Sequence, residues 1–413
     1  MSHVPIARLT VTALVLHSVP AAAEPQDHQL DLDLQGALDR AHRLSSTAIA
    51  ARGQLAQAQA AAIGADLAFT TNPEIDVGAG PRLASDSRID VEARIEQSLE
   101  PWRRTPRRRV ARADVARAGV SAEAALRELD LEVSTAFFDA VFADQSAELA
   151  RRGEDLAQRA ATAADRRRKA GDITDLEANL ARAALGRARS AVQTAAAERA
   201  GAIGTLAALI GARPDDAIAL RGDLKSPAVP AVDAVGAVGA AGAARADVRL
   251  LDAEREVAVA EHAQAVATGR PDIALWASYR REDTTDIVLG GLRMTLPLWN
   301  RAQGETAAAR ARQRRATDLR DAASRAADRQ LADAVAVYRA ARQSVELFER
   351  DVVPLLDDSE QLLQHTVDAG QIAIGDYLVA RQELLNGRRE HLDRLRALAR
   401  AAIELRYAAG GAS

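Results

Sequence analysis

Ile89-Asp90-Val91-Glu92-Ala93-Arg94-Ile95-Glu96-Gln97-Ser98-Leu99 is the stretch on which the fold turns. Apolar Ile89, Val91, Ala93, Ile95 and Leu99 alternate with Asp90, Glu92, Arg94, Glu96 and Ser98, a period of two that a β-strand presents as two separate faces. One face must meet an apolar medium and the other a polar one. Upstream, Ile75, Val77 and Ala79 alternate with Glu74, Asp76 and Gly78, and Pro81 to Ser87 supplies a loop, so 73–99 is predicted to be a β-hairpin. The scheme returns at 272–298. Ile273, Leu275, Ala277 and Tyr279 rise, Arg281 to Asp286 turn, and Val288, Gly290, Leu292, Met294, Leu296 and Leu298 return. Each run is about 9 to 11 residues long, the length a tilted strand needs to cross a bilayer.

Outside the hairpins the chain reads as helix. Residues 107–170 contain no Pro, are rich in Ala and Arg, and repeat Leu126, Leu129, Val133, Phe137 and Val141 at three-to-four spacing. Such a helix would run for about 95 Å, far beyond what a globular domain requires. Gly171 is predicted to stop it, and Thr174 with Glu177 forms a capping box for the next helix. The pair is an antiparallel helical hairpin, and a second is predicted around Gly370. Ala-rich faces allow close approach, so these are expected to be coiled-coil walls.

The two halves repeat each other. Trp102 recurs as Trp299, Gln145-Ser146 as Gln343-Ser344, Ala170-Gly171 as Ala369-Gly370 and Ala181-Arg182 as Ala380-Arg381, a spacing of about 198 residues. One structural plan is used twice, over 24–222 and 245–413, with a Pro- and Gly-punctuated linker at 223–244. Residues 1–23 carry Arg8, an apolar run from Leu9 to Val19 and Ala21-Ala22-Ala23, the pattern of a cleaved export signal.

Composition narrows the function. Of 413 residues 48% are hydrophobic and 27% charged, too apolar for a disordered chain and too charged for a bundle of membrane helices. Only 3% are aromatic, which leaves few bulky side chains for a compact core. A net charge of -4 gives no global field for nucleic acid, so no nucleic-acid partner is expected. With no Cys, disulfides, thiolate catalysis, Cys-based zinc sites and lipidation through Cys are excluded. The seven His are scattered, none in a His-x-x-x-His or His-Glu-x-x-His pair, and there is no Gly-rich phosphate loop. The reading is therefore not an enzyme, with no cofactor and no bound metal; energy must come from a partner.

Four amphipathic strands leave open sheet edges, which lipid forbids, so a protomer of this kind must oligomerise. Two copies would give eight strands and three would give twelve; barrel geometry alone does not choose between them.

Specific stretches carry a family resemblance. Arg270-Pro271-Asp272, Tyr279-Arg280-Arg281 and Gly290-Gly291-Leu292-Arg293-Met294-Thr295-Leu296-Pro297-Leu298-Trp299-Asn300-Arg301 with Gln303-Gly304 resemble the second-hairpin signature of the heavy-metal-efflux (CzcC- and CusC-like) branch of the TolC-like outer-membrane efflux proteins. Asn72-Pro73-Glu74 and Glu96-Gln97-Ser98-Leu99 are similar to that branch, although Pro101-Trp102-Arg103-Arg104 replaces the Gly-Gly-Lys-Arg that commonly follows. Ala369-Gly370 with Asp376 and Ala380-Arg381-Gln382 resembles the family's periplasmic tip. The resemblance covers essentially all of 24–413. It implies a mainly α protomer whose four strands join those of two other copies in a 12-stranded outer-membrane β-barrel, continued by a helical tunnel across the periplasm. It also implies a passive exit duct for heavy-metal cations, working with a periplasmic adaptor and an inner-membrane RND pump, in contact with outer-membrane lipid. The alternatives are a drug-efflux or type I protein-secretion duct of the same design, or a periplasmic coiled-coil adaptor.

The resemblance also places candidate residues. Gly171 and Gly370 match adaptor-contacting tips, and Asp376 and Glu177 match acidic rings at the pore entrance, against the plainer role of an acid at a helix N-terminus. Val379 stands where relatives often carry a second acid. Asp90, Glu92, Arg94 and Glu96 would line the barrel lumen, which must be polar in any case. Trp102 and Trp299 suit an interfacial aromatic girdle or packing at the strand-to-helix junction. The basic cluster Arg103, Arg104, Arg107, Arg108 and Arg109 is read as lipid-phosphate contact or a solvated helix start.

Overall fold

The computed structural model describes residues 29–82, 88–225, 245–282, 284–368 and 371–410. The expected signal at 1–23, linker residues 226–244 and the tip glycine Gly370 lie outside them. In chain order the elements are β1 (Gln29–Leu32), α1 (Leu34–Leu44), α2 (Ser46–Asp66), β2 (Glu74–Arg82), β3 (Arg88–Leu99), α3 (Arg104–Ala170), α4 (Asp175–Leu209), β4 (Ala217–Leu220), α5 (Ala246–Thr268), β5 (Asp272–Glu282), β6 (Thr285–Thr295), α6 (Gln303–Asp351), α7 (Val353–Asp368) and α8 (Ile374–Ala408). Among the described residues no helix is long and apolar enough to cross a membrane.

The strands form one antiparallel sheet in the order β2-β3-β5-β6, beside a small parallel pair of β1 and β4. Register fixes the faces. Ile75 lies opposite Ile95, which lies opposite Ala277 and, across it, Gly290; Val77, Ala93, Tyr279 and Val288 form the next row. These rows and their neighbours Leu275 and Leu292 make one face apolar, yet Val77 and Val288 are 73% and 75% exposed. The other face carries Asp90, Glu92, Arg94 and Glu96. The edges differ from the sequence reading in detail. β5 runs to Glu282 and β6 starts at Thr285, so the turn is shorter than 281–286, while Leu296 and Leu298 fall beyond the end of β6.

At about 1.5 Å per residue the 67 residues of α3 span about 100 Å. It lies between α4 and α8, and α8 in turn packs against α6 and α7. Near its middle Leu129, Val133, Phe137 and Val141 bury one face against Leu206, Leu331, Leu395 and Leu405. Further along, the contact is made by Ala157, Ala161 and Ala164 against Ala181 and Ala188, where the absence of side-chain bulk lets the helices close. Asp139 of α3 is clamped by Arg396 Nε at 2.9 Å and Arg400 Nη2 at 2.7 Å from α8, tying the two halves of the chain. Burial works to raise the Asp139 pKa, but the hydrogen bonds from Arg400 and Arg396 hold it below the usual carboxylate range.

The first arm of the second helical hairpin is not one helix: the structure divides it into α6 and α7 at Val352. Pro354 explains the break: it has no N–H, and its ring clashes with the carbonyl four residues back. Gly269, after α5, is required by a close approach, since a Cβ there would lie 2.4 Å from the Arg301 carbonyl oxygen. On the far side of that contact Ala302 holds a left-handed backbone at φ 58°.

Gly269→Ala is therefore expected to lower stability by about 1–3 kcal/mol through overpacking against backbone, read by thermal unfolding. Because the Asp139 pKa is lowered in the folded chain, its contribution is present above about pH 4, the unfolded value, and is lost as pH falls through the native one. Asp139→Asn should lower the melting temperature at pH 7 and flatten its decline below pH 4; an unchanged acid limb would refute the clamp.

Candidate functional site

Two zones collect the candidate residues. On the polar face of the sheet, Glu96 is 8% exposed and accepts from Arg94 Nη2 at 3.0 Å. Arg293 of β6 also pairs with it, and Ala274, opposite Arg293 in the register, is small enough to lie under that side chain. Trp276 stands opposite Glu96 on one side and Gly291 on the other. A Cβ at Gly291 would lie 2.7 Å from the indole, so the glycine makes room for the ring, and the Arg94 guanidinium lies 4.9 Å from the ring centroid on the same face. One level further from the helices, Arg280 Nη2 donates to Glu92 Oε1 at 3.2 Å. The four residues read from the sequence thus share one face, and two of its carboxylates are neutralised by Arg280, Arg94 and Arg293. Trp276, Arg280 and Arg293 were missed by sequence reasoning.

Where the strands meet the helices, Trp102 is partly exposed with the Arg270 guanidinium 5.7 Å from its ring, and Trp299 is 87% exposed. The basic cluster is largely consumed by the protein. Arg107 donates to the Ala65 and Leu67 carbonyls at 3.2 and 2.8 Å, capping the end of α2, while Arg108 meets Asp66 at 2.5 Å and Arg103 meets Asp272 at 2.8 Å.

The second zone is the far end of the helices. Gly171 ends α3 with φ 84°, its N–H bonded to the Arg168 carbonyl at 3.1 Å and that of Asp172 to Arg167 at 2.9 Å, the geometry of a glycine-terminated helix. The next helix begins with the reciprocal cap: Thr174 Oγ1 accepts from the Glu177 N–H at 3.3 Å and Glu177 Oε2 accepts from the Thr174 N–H at 2.9 Å. The Thr174 N–H bond holds the Glu177 carboxyl below the usual range. Glu177 is thus committed to a cap, whereas Asp376, in the first turn of α8, is exposed and its carboxylate has no partner among the described residues.

The start of α8 is fastened to α3. Arg167 Nη1 donates to the Ile372 carbonyl at 3.0 Å, Tyr377 Oη to the Leu156 carbonyl at 3.3 Å and Arg381 Nη2 to the Gly153 carbonyl at 2.7 Å. Arg381 is 5% exposed, and burial pushes its pKa down from the usual arginine value. Ile374 packs among Ala157, Ala161 and Ala181, so the two helical ends carrying Glu177 and Asp376 meet on one stretch of α3. Of these fasteners the sequence had marked Arg381 only as part of a motif. Among the described residues no cluster of three His, Asp or Glu is placed to hold a metal ion.

A long helical hairpin, a four-stranded sheet polar on one face and apolar on the other, and a second helical arm make up the described protomer, and this fold is shared with solved outer-membrane channels. The structure of CmeC, the outer-membrane channel of Campylobacter jejuni, superposes with a TM-score of 0.76 at 16% identity, covering 92% of this chain and 85% of that one. CusC, known for conformational changes on folding and transmembrane channel formation, gives 0.74 at 17% identity over 96% of both chains. The outer-membrane protein VceC of Vibrio cholerae gives 0.72 at 20% identity over 92% and 96%. No family model and no curated relative matches the chain.

Gly171→Ala should cost about 1 kcal/mol, from the left-handed backbone alone, because a Cβ there meets nothing within 4 Å. Glu177→Gln keeps a cap acceptor but loses the charge that the cap favours, so it should lower thermal stability less than Glu177→Ala; equal effects of the two would show that charge, not capping, matters at this position.

Proposed function

We propose that three copies of this chain form an outer-membrane exit duct of a tripartite efflux system. The observation that carries the reading is the sheet: its apolar face is exposed in every strand, and β2 and β6 each present a row of N–H and C=O groups to a further strand. In lipid those groups must be paired, and closure through like copies meets that requirement with the apolar face outward. The resemblance to TolC-like proteins supports three copies and twelve strands over two and eight. The helical arms then continue the barrel as a tunnel into the periplasm, and their ends, with Gly171 and Gly370, meet an adaptor that couples the duct to an RND pump.

Heavy-metal cations are the proposed cargo, on the resemblance of 290–304 to the heavy-metal branch. In that setting three copies of Asp376 gather at the entrance, concentrate cations and give the aperture its charge preference. Glu177, already held in its cap, contributes less. The sheet's paired arginines and carboxylates give a polar lumen without a strong charge of either sign. A drug or protein duct of the same architecture is the second reading, because a passive tube leaves selectivity to its pump.

The protein should fractionate with the outer membrane, cross-link as a trimer and conduct in planar bilayers. Recovery only in the soluble periplasm would eliminate the duct. Asp376→Asn should reduce cation selectivity, and an unchanged reversal potential would remove that residue from the pore. A deletion strain should become sensitive to one or more of zinc, cobalt, cadmium, nickel, copper or silver; undiminished tolerance of all six would count against metal cargo.

A further inference from the structure

Away from the sheet and the tips, a cavity of about 460 Å³ lies where the start of α5 and the end of α8 meet α3. Leu38, Leu131, Leu250, Leu251 and Ile403 supply its apolar wall. Arg245, the residue before α5, also lines it and is 4% exposed. Its Nε and Nη2 donate to the two Asp247 oxygens at 3.0 and 2.8 Å, and its guanidinium lies 5.5 Å from the centroid of the Tyr407 ring. The third nitrogen, Nη1, is buried and has no hydrogen-bond partner among the described residues.

A buried charged donor without an acceptor is costly, and a site of this size would be stabler with an aliphatic side chain in its place. A hollow with an apolar wall and a small number of directed polar groups is instead the usual form of a small-ligand site. The acids around it are mostly occupied: Asp247 holds Arg245, and Asp130 is bonded to His42 Nε2 at 2.5 Å. Glu128, the remaining acid of the lining, is exposed to solvent. Arg127 and Arg406 also line the hollow, so three arginines stand with three acids, Glu128, Asp130 and Asp247, and a singly charged head disturbs that balance less than a doubly charged phosphate.

We propose that this cavity binds an amphiphile with a carboxylate head, the head accepting from Arg245 Nη1 and the chain lying along the leucines and Ile403. The site does not depend on the duct reading, since its residues all come from one chain and lie outside the sheet and the helical tips.

The test titrates decanoate into the full chain held in amphipol, by calorimetry. Decanoate should bind saturably, one per chain, about tenfold or more tighter than decanol, and acetate should give no heat. Arg245→Gln should bring decanoate down to the affinity of decanol. Ala125→Phe fills the cavity from α3 while leaving Arg245 and Asp247 unsubstituted and should abolish binding of both, so the proposal stays testable if the arginine variant does not fold. Equal affinity for decanoate and decanol, or decanoate binding that survives Ala125→Phe, would overturn it.

Discussion

A sheet with two unsatisfied edges sets the terms for everything else in this chain. β2 and β6 close nothing by themselves, and a face of Ile, Val and Leu turned outward cannot rest in water. The proposed duct would meet both constraints together, with further strands of the same kind in an apolar solvent. The alternation in β3 makes that solution possible, because a period of two separates Ile89, Val91, Ala93, Ile95 and Leu99 from Asp90, Glu92, Arg94 and Glu96, with Gln97 the one polar residue on the apolar face.

The helices answer a different requirement, length. A wall about 100 Å long has little interior, and alanine is suited to it: it has the highest helix propensity and lets neighbours approach closely. The largest group of bulky side chains gathers around Phe137 and Leu405, where α1 and the small β1–β4 pair thicken the structure, and a smaller one, Leu363, Tyr377 and Leu384, lies toward the start of α8. Elsewhere helices meet mainly through alanine, and arginines cross between them, such as Arg182 to Asp165 and Arg388 to Asp357.

Periodicity made the fold legible. The two hairpins, α3, its stop at Gly171 and the Thr174–Glu177 cap are all local features, and local residues specify them. Contacts set by register or by packing between distant segments were not legible. Trp276 is unremarkable in its own stretch and gains meaning only when β3 and β6 bring Arg94 and Gly291 to it. Arg293 finds Glu96 across an intervening strand, and Arg381 finds a carbonyl more than two hundred residues away in sequence. The break at Pro354 was readable in principle, since a proline inside a helical pattern ends or kinks it.

The fasteners at the start of α8 have one more property. Tyr377 and Arg381 donate to main-chain oxygens of α3, and Arg167 donates to one in the opposite direction. A carbonyl is supplied by every residue type, so replacing the side chain at Leu156 or Ile372 leaves the acceptor in place. The bonds themselves therefore constrain the three donors and not the receiving side chains, although Gly153 is held small by Leu385, 3.1 Å from where its Cβ would be. An attachment of this sort persists while the surface around it diverges.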